Sequence, residues 1–119
     1  MKAQVVSVYS SDIDIDTYVS EDPLVDGQWI RFMVGSVGSI GSEAFDVIVC
    51  TPQWLAQIIA KEGPQIGRHH VIVESFDVPT AINFITQRIE ELERDDWHSL
   101  GERIGWIGMW TEDPREYER

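Results

Sequence analysis

The sequence predicts an α+β domain: a mainly antiparallel sheet of about four strands, with two to three helices packed on one face. Three observations lead there. The first half carries short runs rich in valine, isoleucine and aromatics, separated by acidic or glycine-containing loops. The second half carries segments whose apolar residues recur every three or four positions. Strands and helices do not alternate strictly, which favours α+β over a repeated βαβ unit.

Lys2 to Tyr9 is valine-rich and reads as the first strand. Asp12 to Gly27 follows as a solvated acidic loop, with Asp12, Asp14, Asp16, Glu21, Asp22 and Asp26 and no Lys or Arg. Gln28 to Gly35, containing Trp29, Ile30, Phe32, Met33 and Val34, reads as the second strand. Gly35, Gly38 and Gly41 punctuate a turn, and Glu43 to Cys50 is the third strand. So short a connection predicts an antiparallel hairpin.

Thr51 and Pro52 open a helix. The threonine hydroxyl can accept from a free amide, and proline suits the first helical position because its missing N–H has no partner there. Leu55, Ile58 and Ile59 form its apolar stripe, and Gly63-Pro64 ends it. His69 to Phe76 is expected as a fourth strand. A second helix starts near Pro79, with Ile82, Ile85, Ile89 and Leu92 on one face. Asp95 or Asp96 can cap a third, striped by Trp97, Leu100, Ile104 and Ile107. The tail from Trp110 to Arg119 is polar and acidic. Trp29, Trp54 and Trp97 each lie within an apolar element and are expected in the core.

The 119 residues fit one domain spanning positions 1–119. A hydrophobic fraction of 43% rules against disorder despite the charge. That charge is one-sided: 21 Asp and Glu against nine Lys and Arg give a net -12. Such a surface repels nucleic-acid phosphates and anionic lipid, and attracts a basic partner. Solubility alone is the plainer explanation of the same number. With one cysteine, no intramolecular disulfide can form. The amino terminus has no apolar signal core, and no stretch is long enough to span a membrane, so a cytoplasmic location is expected.

Motifs for catalysis or metal binding largely fail. Asp12, Asp14 and Asp16 have the opening spacing of a calcium loop, but the glycine and glutamate that loop requires are replaced by Thr17 and Pro23. His69 and His70 are adjacent and would point to opposite faces of a strand. Cys50 ends an apolar strand, where a small core residue is the ordinary reading. The glycine run from Gly35 to Gly41 lacks the lysine of a phosphate-binding loop. No metal or cofactor is expected. Trp106 and Trp110 lie beside the tail acids, and tryptophan is a frequent interface anchor. For Trp110, a packed tail anchor and a partner contact are equally open readings.

Val49-Cys50-Thr51-Pro52-Gln53-Trp54-Leu55 resembles the V-C-T-P-x-W-L signature of the immunity protein 8 family of bacterial polymorphic toxin systems. Glu43-Ala44-Phe45-Asp46 is similar to the family's acidic-aromatic strand start. Gly67-Arg68-His69 with Val71-Ile72-Val73-Glu74 resembles its G-R-H strand. Asp95-Asp96-Trp97 and Trp110-Thr111-Glu112-Asp113 resemble its D-D-W helix start and closing segment. The resemblance implies an α+β fold, a cytoplasmic site, no catalysis, and a cognate toxin domain as partner.

Taken with the charge, it directs attention to two surfaces. One comprises Asp12, Asp14, Asp16, Glu21, Asp22 and Asp26, expected to steer a basic toxin domain. The other comprises Trp110, Glu112, Asp113 and Tyr117. Two other readings stay open: a small hydrolase using carboxylates or Cys50, and a structural subunit of a homo-oligomer. The sequence sets no oligomeric state.

Overall fold

The computed structural model describes residues 1–112. Along the chain lie β1 (Ala3–Tyr9), β2 (Gly27–Ser36), β3 (Glu43–Cys50), α1 (Pro52–Glu62), β4 (His70–Ile72), α2 (Val78–Glu90), α3 (Trp97–Ile104) and β5 (Met109–Trp110). The class is the expected α+β, with a mostly antiparallel sheet.

β2 and β3 form the hairpin that the glycine loop predicts, in register from Gly27 opposite Cys50 to Val34 opposite Glu43. Alternation then sorts the side chains by face. Ile30, Phe32 and Val34 meet Phe45, Val47 and Val49 on the inner face, and all six are fully buried. β1 pairs antiparallel with β2, with a bulge between Val5 and Ser7. Onto the inner face α2 brings Val78, Ala81, Ile85 and Ile89, and α3 brings Leu100 and Ile104.

α1 and α3 start where the sequence signals, and α2, expected near Pro79, starts at Val78 with Asp77 as its cap. Thr51 accepts from the Trp54 amide at 3.3 Å, Asp77 from Thr80 at 3.1 Å and Asp96 from Ser99 at 2.8 Å. Gly63 closes α1 with φ of 89°, a conformation that favours glycine.

Three expectations need correction. The fourth strand is shorter than His69 to Phe76, at three residues, and it pairs parallel to β3 because α1 carries the chain back as a crossover. The Val73 amide still donates to the Cys50 carbonyl at 2.8 Å, and beyond it the segment leaves the sheet, where the Phe76 amide donates to the Pro23 carbonyl at 2.7 Å. Trp110, read as the start of a polar tail, forms β5 with Met109 along the same edge of β3 and lies opposite Phe45.

The tryptophans diverge most from expectation. α1 contributes no buried residue. Its Trp54 is half-buried, with its ring where a side chain on Gly27 would stand: a Cβ there would lie 2.3 Å from the indole. Gly27 alternates with the inward residues of β2, so Trp54 covers one corner of the outer face, opposite α2 and α3. Trp29 lies on that outer face and is 43% exposed. Trp97 does pack against the core, half-buried.

Candidate binding surface

The acidic loop is built from an apolar underside and a charged rim. Ile13, Ile15 and Tyr18 turn inward against the core, and the Tyr18 ring meets Phe76 edge-on at 5.8 Å. The intervening Asp12, Asp14 and Asp16 are thereby pushed outward and are exposed. Local hydrogen bonds fix the path: the Asp16 amide donates to Asp14 Oδ1 at 3.0 Å, the Tyr18 amide to the Asp14 carbonyl at 2.8 Å, and the Leu24 amide to Asp22 Oδ1 at 3.2 Å. Glu21 and Asp22 are also exposed. Between these acids stand Val19, 84% exposed, and Leu24, 49% exposed.

Asp26 is placed differently from its five neighbours. It is buried, and its carboxylate accepts from the Tyr18 hydroxyl, from Gln28 Nε2 at 2.9 Å and from the Gly27 amide at 2.8 Å. Burial raises its pKa, but the hydrogen bonds from Tyr18, Ser20, Gln28 and Gly27 outweigh burial and hold it below the ordinary carboxylate value. Burial and the same carboxylate push the Tyr18 hydroxyl upward. Asp26 therefore locks the return of the loop into β2, while the other five acids face solvent.

The loop runs directly into the outer face of the sheet. Ser10 Oγ donates to the Trp29 carbonyl at 2.7 Å, tying the loop start to β2. A shallow depression of about 240 Å³ lies there, lined by Tyr9, Asp12, Trp29, Arg31 and Asp46 among others. Arg31 grips Asp46 through two parallel bonds of 2.7 and 2.8 Å. These bonds raise the guanidinium pKa further and neutralise the centre of the face. Tyr9 and Trp29 expose aromatic groups beside Asp12 at the start of the acidic loop, while Val19 lies further along it, beside Phe76 and Val78 at the start of α2.

The carboxyl-terminal surface separates into parts. Trp110 is 5% exposed and stacks on Phe45 with a centroid distance of 5.9 Å. Its indole N–H donates to Glu43 at 2.8 Å. It anchors the end of the described chain in the core. Glu112 is exposed. Asp113 and Tyr117 lie outside the described residues.

The groups considered for chemistry have structural partners. Burial pushes the Cys50 thiol up to about 11, away from the thiolate. His69 Nε2 sits 3.1 Å from the Gly105 carbonyl and His70 Nδ1 2.9 Å from that of Arg68. Among the described residues, no group of three His, Cys, Asp or Glu side chains is arranged to hold a metal ion.

A family model described as immunity protein 8 matches residues 3–117, nearly the whole chain. The chain belongs to the immunity protein 8 family. No curated protein and no solved structure matches it. No helix among the described residues is long and apolar enough to cross a membrane.

For this immunity protein 8 family member, sequence reasoning found the acidic rim and missed the apolar residues within it. Val19 and Leu24 were legible as isolated apolar residues in an acidic loop. Tyr9 and Trp29 were legible as positions out of phase with the inward set of their strands. The signal in both cases was an apolar side chain with no partner on its own face.

Proposed function

We propose that this protein binds and neutralises a cognate, basic toxin domain in the cytoplasm, without catalysing a reaction itself. Membership of the immunity protein 8 family supports the role. The observation that carries the choice of surface is the exposed row Asp12, Asp14, Asp16, Glu21 and Asp22, with Val19 and Leu24 set among the acids. Acids around a small apolar centre suit capture of a basic protein surface: the charges speed encounter, and the desolvated apolar groups slow release. Tyr9 and Trp29 extend the contact onto the sheet, where aromatic side chains bury large area for little rotamer entropy. Asp26 supports this surface from beneath, and Trp110 supports its own end of the domain. Glu112, Asp113 and Tyr117 form the second proposed contact region.

Reversal of Asp12, Asp14, Asp16, Glu21 and Asp22 to lysine, compared with the unaltered protein by stopped-flow association with the purified toxin domain, tests the assignment. The on-rate should fall by at least about tenfold at low salt, and its salt dependence should flatten. An unchanged on-rate would place the steering surface elsewhere.

A further inference from the structure

On the helical side, at the end of the sheet formed by β4, a groove of about 330 Å³ opens between α2 and α3. Its floor includes Val71, Ile85, Leu92 and Ile107. Its rim carries two exposed aromatics, Phe84 at 47% and Trp106 at 76% exposure. Each is paired with an arginine. The Arg88 guanidinium lies 5.2 Å from the Phe84 ring centroid, one turn along α2, and that of Arg103 lies 4.8 Å from the Trp106 centroid.

This pairing runs against the rest of the molecule. In a chain with a net charge of -12, two of the nine basic residues face one groove. Among the described residues neither arginine makes an ion pair. Glu91 is on the lining, so the groove is not uniformly basic. Each guanidinium is seated over a ring face, and a guanidinium so placed can still offer its N–H groups to a carboxylate in a two-pronged grip. Arginine and tryptophan are also the residue types most enriched where binding energy concentrates.

We propose that this groove is a second docking site, distinct from the acidic face, and that it takes an extended protein segment carrying carboxylates beside a bulky apolar side chain. The carboxylates would meet Arg88 and Arg103, and the apolar side chain would settle on the partly buried Val71, Leu92 and Ile107. An extended segment suits the place because, among the described residues, β4 is the terminal strand of its sheet and lines the groove. Charge complementarity selects the occupant. A basic segment would be held by the rest of this surface but repelled at the two guanidiniums, and an acidic segment would find its match here. This inference does not depend on the proposed acidic face: the two sites share no residue and have opposite charge preferences.

The test uses the full chain, isotope-labelled, titrated with two capped peptides to millimolar concentration and followed by amide chemical shifts. One peptide alternates aspartate with leucine and tryptophan, and the other replaces each aspartate with lysine. The acidic peptide should shift the amides of 84–92 and 103–107, and the lysine peptide should not. The double substitution Arg88→Gln with Arg103→Gln should weaken acidic-peptide binding by at least about tenfold. Trp106→Ala, at an exposed position that leaves the core intact, should weaken it in the same direction. Absence of shifts in the groove, equal binding of both peptides, or binding unaltered by the double substitution would each overturn the proposal.

Discussion

Trp110 donates its indole N–H to Glu43 at 2.8 Å, joining residues 67 positions apart in the chain. Trp97 donates to the same carboxylate oxygen at 2.6 Å. One acid at the start of β3 therefore satisfies two indoles, and through them ties α3 and β5 to the sheet. Phe45 completes the cluster, with Trp110 stacked on it and Trp97 edge-on at 6.5 Å. Because Trp110 is buried, losing its acceptor leaves a donor with little access to water.

Glu43→Ala removes that acceptor from both rings. The expected loss of stability is about 2 kcal/mol, read from urea unfolding midpoints. Trp110→Phe keeps most of the packing and loses one hydrogen bond, so its cost should be smaller than that of Glu43→Ala. Equal midpoints for Glu43→Ala and the parent would show that the shared carboxylate contributes nothing.

Gly101 lies under the Trp110 ring. A Cβ there would stand 2.7 Å from the indole. Gly101→Ala gains about 1 kcal/mol of helix propensity but must displace a buried ring, which costs about 1–3 kcal/mol. The net effect should be destabilising. Gly67→Ala, where a Cβ meets nothing within 4 Å, serves as the control and should leave the midpoint nearly unchanged. A stabilised Gly101→Ala variant would contradict the packing described around Trp110.

Two groups set opposite pH limits. The Asp26 pKa is lowered in the folded state, so its contribution is present above the ordinary carboxylate value of 3.8 and is lost as pH falls through the folded value. Asp26→Asn should flatten the acid limb of a stability–pH profile as well as lower stability at neutral pH. The Cys50 thiol moves from 9.0 to about 11 on folding, so the native state keeps a proton that the unfolded chain releases. Stability should decline between pH 9 and 11 on that account, and Cys50→Ala should remove that part of the decline. At neutral pH, alkylation of Cys50 should require unfolding. Rapid labelling of the native protein would contradict its burial.

What the sequence made legible was local. Thr51-Pro52 and Asp96 announce helix starts because a cap is a contact between near neighbours, and the 12–26 loop announces itself by charge. What it concealed depended on which face of an element finds a cover. α1 has a regular apolar stripe, yet it buries no residue because the inner face is already filled by α2 and α3. Trp29 lies in an apolar strand but out of phase with Ile30, Phe32 and Val34, on the face where it is left 43% exposed. The parallel pairing of β4 depends on the crossover through α1, a long-range matter. Asp26 looked like its acidic neighbours, and only the convergence of Tyr18 and Gln28 on it reveals a buried carboxylate. The Phe84–Arg88 and Arg103–Trp106 pairs were legible as spacings of four and three residues, though not as two sides of one groove.

The central claim is that an acidic, partly apolar face captures a basic toxin domain. The most direct measurement is co-purification with the product of the neighbouring gene, as the candidate toxin domain, followed by association kinetics at low and high salt. A tight one-to-one complex that forms more slowly as salt rises is the predicted result. Failure to form a complex with that domain at either salt concentration would contradict the claim.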